Sequence, residues 1–317
     1  MRSLLKLGIT MEGKRFFMSS NRSCPVCNTP SKNAKLFQKE NIDENKISSF
    51  SYASRKEPEF MCHRLVRCKL CDLVYVSNPP EEKHLANAYH VSEYDSSEEA
   101  DDAAIAYIKT IQPILENLKV KKKVLEIGSG TGVFLELLKD RGFEDLIGIE
   151  PSSAAIQAAP IHRRVWLRKE IFKEQNFDPA SFDLICCFMT MEHVYDPLII
   201  ARAAQRLLKP NGAFVTVTHD YSSLINRILG KKSPIIDIEH MQLFSKKSIC
   251  ELLKRSDFNN ISSKPFINRY SFNYWLRLTP LPSAVKKQLK WLSSLIGMDK
   301  IKIGLNVGNR ITAGYKQ

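Results

Sequence analysis

The sequence predicts an α/β protein in which a doubly wound parallel sheet follows a small cysteine-rich module. Two observations predict this arrangement. From Lys121 onward, short apolar runs alternate with segments of helical periodicity, which is typical of a parallel sheet covered by helices. Before that point, two pairs of cysteines are each spaced as C-x₂-C. No apolar run approaches the ~20 residues that a membrane-spanning helix needs.

The module in residues 21–80 contains the two cysteine pairs, Cys24 with Cys27 and Cys68 with Cys71. Each C-x₂-C turn directs two thiolates towards one point, and two such turns supply the four sulfur ligands that structural Zn²⁺ prefers. Unrelated thiols or a redox pair are the alternatives, but a redox pair of the thioredoxin type would lie beside a βαβ pattern. The sequence therefore predicts a zinc-ribbon module whose four metal ligands are these cysteines.

Three further segments complete the predicted organisation. Residues 1–20 are expected to be a flexible tail on a cytoplasmic protein, because Lys6 interrupts the only apolar stretch that could form a secretion signal. Residues 81–118 are expected to connect the module to the main domain and to end in an amphipathic helix, since apolar residues recur there at helical spacing. Residues 119–317 are expected to form the α/β domain.

The elements of this domain follow from its apolar pattern. Strands are predicted at residues 124–127, 146–150, 165–167, 182–188 and 213–218, with two more near 261–267 and 311–315. A helix is predicted over 133–139, with Gly142 ending it, and another is predicted to start at 151–153. Asp196 as N-cap and Pro197 at the first helical position predict a third helix, which runs through Leu208.

A glycine-rich turn follows the first of these strands. It reads G-x-G-x-G from Gly128 to Gly132, which is not the G-x-G-x-x-G register of dinucleotide-binding proteins. Glu126 precedes it by two residues, and its carboxylate would repel a pyrophosphate but would suit a ligand with a cation and an ammonium group. Glu150 ends the next strand, where it can accept hydrogen bonds from both hydroxyls of a ribose.

As a set, five segments resemble the class I S-adenosylmethionine-dependent methyltransferases, whose sheet is Rossmann-like. They are residues 124–132, 149–152, 181–184, 191–197 and 207–212. The resemblance implies S-adenosyl-L-methionine as the methyl donor. A Rossmann dehydrogenase is the alternative if the turn is taken alone. The cofactor-binding residues that the resemblance implies are Glu126, Gly128, Ser129, Gly130, Gly132, Glu150 and Phe188.

The cysteine motifs, together with Tyr89 and Tyr94, resemble the zinc-module methyltransferases of bacterial polysaccharide and sugar-modification clusters. This resemblance implies O-methylation of a hydroxyl on a sugar, a glycan precursor or another small metabolite. Sugar C-methyltransferases share the layout but carry a further large C-terminal domain. The alternatives are an RNA methyltransferase whose zinc module and basic flank bind phosphates, and a cofactor-binding adaptor without catalysis. Residues 188–191 lack the polar pocket that methylation of a base amine needs, so nucleic acid is the less favoured partner.

Two histidines are candidates for the base that takes the acceptor's proton. His193 follows the fourth predicted strand, where the pocket of a doubly wound sheet opens. His240 lies in a segment that resembles the late histidine segment of the family. Either histidine could instead cap a helix or fill a gap beside the cofactor. His219, just after the fifth strand, is a third option.

The last third of the chain is strongly basic, with 17 basic and 5 acidic residues in 223–317. An insertion is predicted near 270–302, and one stretch of it has helical apolar periodicity. One interpretation is a helical lid over the pocket whose lysines lie in water. The other is a basic amphipathic helix that makes peripheral contact with a membrane. The apolar residues that define its face are Val285, Leu289, Leu292, Leu295 and Ile296.

Overall fold

The computed structural model describes residues 21–48, 50–53, 58–93, 97–298 and 301–317. The predicted tail of residues 1–20 lies outside the described residues, as does Tyr94. Within the described part of the chain, no helix is long and apolar enough to cross a membrane.

The cysteine-rich module forms an antiparallel sheet that the rest of the chain completes. Its strands are β1 (Ala34–Gln38), β2 (Leu65–Cys68) and β3 (Val74–Val76). A fourth strand, β9 (Gln242–Leu243), pairs antiparallel with β3 and comes from the second half of the sequence. The module therefore shares a sheet with a segment that directly follows His240.

The connecting segment is helical and packs on the main domain. Helix α1 covers Glu82–Val91 and helix α2 covers Ser97–Asn117. The apolar side of α2 contacts helix α3 (Val133–Lys139), with Ile108 and Ile111 buried. This agrees with the predicted amphipathic helix at the end of the segment.

The main domain is built on a seven-stranded sheet in the order β10-β13-β8-β7-β4-β5-β6. Strands β4 to β8 pair in parallel, while β10 and β13 run antiparallel at one edge. This confirms the predicted fold class. The strands are β4 (Lys123–Ile127), β5 (Asp145–Ile149), β6 (Leu167–Arg168), β7 (Phe182–Phe188), β8 (Leu208–His219), β10 (Asn259–Pro265) and β13 (Asn309–Tyr315).

The third parallel strand lies further along the chain than the apolar pattern predicted. Pro160 starts a short helix, α5 (Ile161–Arg164), after α4 (Ser153–Ala158). Val165 ends α5 and is 78 % exposed, so the strand begins only at Leu167. The predicted range 165–167 was therefore wrong at its start, because a helix cap competes for these apolar residues.

The helix after β7 begins where the sequence predicted. In α6 (Pro197–Leu207), the Asp196 side chain accepts hydrogen bonds from the backbone N–H groups of Leu198 and Ile199. An N-cap of this kind satisfies donors that would otherwise lack a partner within the helix. The chain then forms α7 (Leu224–Leu229) and α8 (Lys246–Lys254) on either side of β9.

The predicted insertion is a pair of helices between two paired strands. Strands β11 (Asn268–Ser271) and β12 (Lys302–Leu305) run antiparallel to each other. Between them lie α9 (Phe272–Leu278) and α10 (Ser283–Leu295). The insertion thus starts two residues before, and ends three residues after, the range expected from the sequence.

Candidate functional site

A cavity of about 700 Å³ opens at the carboxyl ends of the parallel strands. The glycine-rich turn after β4, the end of β5 and the segment after β7 form one side of it. Residues from α7, α9 and β12 form the other side. This is where doubly wound sheets bind their ligands, because the loops after neighbouring strands diverge at a switch in strand order.

The turn after β4 requires glycine at Gly128. Its φ is +77°, and a Cβ built there would lie 2.1 Å from the Thr190 Oγ1 atom. Gly130, with φ of +53°, has no atom within 4 Å of an added Cβ and lines the cavity. A side chain at Gly130 would therefore occupy space that is open to a ligand.

Two buried carboxylates flank this turn. The Glu126 Oε2 atom has no hydrogen-bond partner among the described residues. Glu150 accepts hydrogen bonds from the backbone N–H groups of Gly130 and Ser152, each at 2.8 Å. Burial raises the pKa of Glu126 well above its usual value, and the charge of Glu150 raises it further. A cationic, hydrogen-bond-donating ligand beside this unpaired oxygen would offset the cost of burial and favour the ionised form.

Most of the predicted cofactor-binding residues line this cavity, but Gly132 does not. An added Cβ at Gly132 would contact the Leu167 side chain at 3.2 Å, and Gly132 is the N-cap of α3. Its place in the motif is therefore explained by close packing of the turn against β6. The predicted residues that line the cavity are Glu126, Gly128, Ser129, Gly130, Glu150 and Phe188.

Three histidines meet on the other side of the cavity. The ring centroids of His193 and His240 lie 4.8 Å apart, and those of His219 and His240 lie 5.6 Å apart. All three line the cavity. The structure thus brings together the two candidate bases and the third option, although 47 positions separate the first of them from the last in the sequence.

Hydrogen bonds define the tautomers of two of these rings. The Tyr89 hydroxyl donates to the Glu239 carbonyl at 3.0 Å, so its oxygen can only accept from His193 Nδ1, also at 3.0 Å. His240 Nδ1 donates to the Ile235 carbonyl at 2.8 Å. Since each Nδ1 carries the proton, each neutral ring has its lone pair on Nε2. That lone pair is the part of the ring that can accept a proton.

His219 is a weaker base than an ordinary histidine. Burial lowers its pKa to about 4, and Asn309 Oδ1 lies 2.8 Å from its Nδ1. The ring is therefore neutral at pH 7 and has little tendency to gain a proton. This argues against His219 as the proton acceptor.

Sequence reasoning missed two residues around the histidines. Tyr89 was noticed only as part of a family resemblance, yet it binds His193. Glu192 is fully buried, and its Oε1 accepts from the His219 backbone N–H at 2.6 Å. Its Oε2 has no partner in the described part of the chain, and burial raises its pKa to about 8. Its position directly before His193 was visible in the sequence, but its burial was not.

The raised pKa of Glu192 predicts that stability falls as pH rises. In the unfolded chain this carboxyl ionises near 4.5, whereas in the folded chain it keeps its proton until about pH 8. The folded state therefore holds the extra proton between these values, and the free energy of unfolding decreases with pH across them. One pKa unit is worth about 1.4 kcal/mol, so the loss amounts to a few kcal/mol.

We expect Glu192→Gln to flatten this decrease, because the amide cannot ionise. Melting temperatures of the two proteins from pH 5 to pH 8 measure it. The pKa of Glu126 is also raised, so part of the decrease in stability with pH should remain in the variant. The prediction would be contradicted if the melting temperatures of the two proteins changed by the same amount from pH 5 to pH 8.

Gln242 joins the cysteine-rich module to the His193 segment. Its fully buried side-chain amide donates to the carbonyls of Met191 and Val194, at 2.6 and 2.8 Å. The backbone of Gln242 pairs with that of Tyr75 in β3. The Arg22 guanidinium adds hydrogen bonds to the carbonyls of Val76, Tyr195 and Met241. The module thus supports both segments that carry the candidate bases.

The four predicted metal ligands converge in the module. Cys24 Sγ lies 3.4 Å from Cys71 Sγ, and Cys27 Sγ lies 3.5 Å from Cys68 Sγ. One ligand atom from each cysteine lies within 4.8 Å of all the others. A tetrahedral zinc with Zn–S bonds of ~2.3 Å requires sulfur separations of ~3.8 Å, which this cluster matches. The sulfur cluster therefore fits Zn²⁺.

Comparison with known proteins gives one family match. A family model described as a methyltransferase domain matches residues 99–263. A ubiquinone biosynthesis O-methyltransferase of Neisseria meningitidis is 32% identical over 119 residues, which are 34% of this chain and 49% of that protein. One of Pseudomonas aeruginosa is 36% identical over 97 residues, which are 29% of this chain and 41% of that protein. The chain spans about half the length of these curated relatives.

Solved structures of similar fold are more distant in sequence. A SAM-dependent methyltransferase from Thermotoga maritima has 20% identity and a TM-score of 0.47, covering 69% of this chain and 91% of that one. One from Archaeoglobus fulgidus has 17% identity and a TM-score of 0.46, covering 67% and 94%.

Proposed function

Because the chain belongs to the methyltransferase family whose domain model matches residues 99–263, we propose that it transfers a methyl group from S-adenosylmethionine to a hydroxyl oxygen of a small acceptor. One observation carries this proposal. A glycine-rich turn with two buried carboxylates and a pair of histidines with lone pairs on Nε2 line the same cavity. A donor and an acceptor can therefore meet in it.

The residues of the turn fit the methyl donor. Glu126 Oε2 is buried without a described partner, which suits an ammonium or hydroxyl group of the cofactor. Glu150 has further lone pairs beyond its two backbone hydrogen bonds, which suit ribose hydroxyls. Gly130 leaves the turn open to the cavity, since an added Cβ there would meet no atom within 4 Å. Phe188, whose ring lies edge-on to Phe134, adds an apolar wall. When bound, S-adenosylmethionine supplies an electrophilic methyl group on its sulfonium.

The protein's task is then to position the acceptor and to remove its proton. The acceptor hydroxyl loses its proton to the Nε2 atom of His240 or His193 as its oxygen takes the methyl group. Tyr89 orients the His193 ring, and its own pKa is raised well above 10 by burial and by Glu239, so the hydroxyl keeps its proton. The Ile235 carbonyl orients His240 in the same way.

The acceptor side of the cavity has an aromatic wall. Tyr270, Tyr274 and Trp275 pack against one another, and all three line the cavity. Flat rings of this kind can stack on the apolar face of a sugar as well as on an aromatic ring. The relatives named as O-methyltransferases support a hydroxyl acceptor. We propose a sugar, a glycan precursor or another small hydroxylated metabolite.

A transfer assay tests this function. The purified chain is incubated with S-adenosylmethionine labelled in its methyl group and with separate sets of sugars, phenols, amines and RNA. We expect label to appear as a methyl ether on a hydroxyl compound, with the sugars as the first set to examine. Label on amines or RNA alone would overturn the proposal. Cofactor binding without transfer to any set would instead favour an adaptor.

We also propose that Cys24, Cys27, Cys68 and Cys71 hold a structural Zn²⁺. Cys24 Sγ and Cys71 Sγ lie within hydrogen-bond distance, and this contact lowers the pKa of the Cys24 thiol. A thiolate is the form that binds the metal. The zinc would fix the module from which β3 reaches β9, so its role is to stabilise the fold rather than to act on the substrate.

Removing a zinc ligand is expected to destabilise the protein strongly. Cys24→Ser should lose the one Zn²⁺ per chain and lower the melting temperature, because metal binding at such a site is coupled to folding. Elemental analysis and thermal unfolding measure both effects. Cys62→Ser is the matched control, since Cys62 is equally buried but lies outside the cluster. Metal-free protein with an unchanged melting curve would refute this role.

We propose three domain boundaries for this chain. The zinc module covers residues 21–80, the connecting segment covers 81–118 and the methyltransferase domain covers 119–317. The pairing of β3 with β9 means that the first and last of these share one sheet.

A further inference from the structure

We propose that the mouth of the cavity docks on an anionic lipid surface, through the exposed sides of α10 and α7. This goes beyond the methyl transfer proposed above and is independent of it, because docking needs no catalysis. It identifies a membrane surface as the partner of the basic C-terminal region.

Helix α10 uses only a narrow side to contact the rest of the protein. The Lys286 ammonium donates to the Arg277 carbonyl at 2.8 Å, and the Ser293 hydroxyl contacts Asn273 Oδ1 at 3.3 Å. Leu289, at the helical position between them, is half-buried. This differs from the lid interpretation of the sequence, which expected the apolar residues of the helix to face inward.

The outward side of α10 is apolar instead. Trp291 is 61% exposed and Leu295 is 63% exposed. At 100° per residue, Val285, Leu292 and Leu295 fall within one band of the helix with Trp291 at its edge. A contiguous band of large apolar side chains in water marks an interaction surface. Tryptophan at such an edge is typical of the boundary between membrane and water.

Lysines occupy other sides of this helix. Lys287 and Lys290 are both exposed. At 100° per residue, Lys287 lies next to Trp291, whereas Lys290 lies on the side opposite Leu292. An apolar band on one side of a helix with lysines on the others is the pattern of a helix that lies in the plane of a membrane surface. The basic groups attract anionic headgroups while the apolar groups enter the acyl boundary.

A second element at the cavity has the same character. In α7, Leu224 is 74% exposed and Ile228 is 69% exposed, while Arg227 between them is also exposed. Lys231 and Lys232 follow directly. Helix α7 lines the cavity through Ile225 and Leu229, and α9, which leads into α10, lines it through Trp275 and Leu278. Helix α7 therefore borders the opening directly, and α10 follows a helix that lines it.

Charge favours a lipid surface over a second copy of this chain. A symmetric dimer through these surfaces would place the same patch on both partners. It would bring Lys287 and Lys290 of one copy towards the basic groups of the other. RNA would match the charge but not the exposed leucine and isoleucine side chains. An anionic bilayer complements both the charge and the apolar band.

The experiment is sedimentation of the full chain with vesicles of phosphatidylcholine alone and of phosphatidylcholine mixed with phosphatidylglycerol. We expect binding to the mixed vesicles, weaker binding to phosphatidylcholine, and a decrease with salt. Lys287→Gln with Lys290→Gln should lower the partition coefficient about tenfold, because two basic groups that attract the anionic headgroups are lost. Trp291→Ser with Leu295→Ser should lower it at least as much at unchanged charge.

Matched controls lie at the opposite end of the sheet. Lys119→Gln with Lys122→Gln removes two exposed lysines there, and Val120→Ser removes an exposed apolar side chain. These variants should bind vesicles as the unmodified chain does, and an unchanged thermal unfolding curve shows that every variant is folded. Failure of the unmodified chain to bind mixed vesicles, or equal binding by the α10 variants, would overturn the proposal. Self-association lost in Trp291→Ser would identify a second copy as the partner, and RNA binding lost in the lysine variant would identify nucleic acid.

Discussion

Gly130→Val should abolish binding of S-adenosylmethionine and with it all methyl transfer. Gly130 lines the cavity, and an added Cβ there meets no atom of the protein within 4 Å. The valine side chain would therefore fill space that is open to the cofactor. It would also strain a turn whose N–H group binds Glu150. Titration calorimetry with S-adenosylmethionine measures the loss, which we expect to exceed a hundredfold, or ~2.7 kcal/mol.

Gly142→Val separates this effect from backbone strain. Gly142 has a φ of +93° and also has no atom within 4 Å of an added Cβ, but it follows α3 and does not line the cavity. It should lower thermal stability while leaving cofactor affinity unchanged. If NADH bound to the unmodified chain and S-adenosylmethionine did not, the proposed cofactor would be wrong. If Gly130→Val bound the cofactor normally, the turn would not be its site.

Loss of the Nε2 atom of His240 should lower turnover by ~10²–10⁴-fold, the usual contribution of a general base. His240→Asn is the informative variant. Its side-chain amide can take the place of Nδ1–H and donate to the Ile235 carbonyl, but it has no atom at the Nε2 position. Cofactor affinity should change little, because Glu126 and Glu150 lie on other loops.

Comparison of His240→Asn with His240→Ala shows whether the ring acts chemically or structurally. If the ring only supports the loop, asparagine should restore the turnover that alanine loses. His193→Asn makes the same test for the second candidate, because its amide can still donate to the Tyr89 hydroxyl. Normal turnover in His240→Asn with a large loss in His193→Asn would assign the base to His193. Normal turnover in both would mean that positioning alone accounts for the reaction.

Local patterns predicted the sheet and one half of the cavity. Gly128 and Gly130 share a reason for glycine that acts within the turn itself, namely a positive φ. Asp196 caps α6 through bonds to its second and third following residues. The residues that make such interactions lie close together in the sequence. A sequence pattern therefore identifies them without knowledge of the fold.

The acceptor half of the cavity could not be predicted in this way. Tyr89 reaches His193 across 104 positions, and Tyr75 of β3 pairs with Gln242 across a longer distance in the chain. Gly132 matched the motif, yet the packing of β6 against it keeps it out of the cavity. Spacing along the chain carries no information on which distant loops meet, because that depends on how the sheets assemble.

The sequence by itself thus determined the order along the chain of the seven strands of the main sheet, the glycine-rich turn and the two cysteine pairs, all of which depend on neighbouring residues. Only the tertiary structure decided that β9 completes the module's sheet and that both candidate bases meet. It also decided which side of α10 faces water. Helical periodicity shows that an apolar face exists, but contacts such as that of Ser293 with Asn273 select the buried side. The physical reason is that burial is a property of the assembled chain, not of the helix alone.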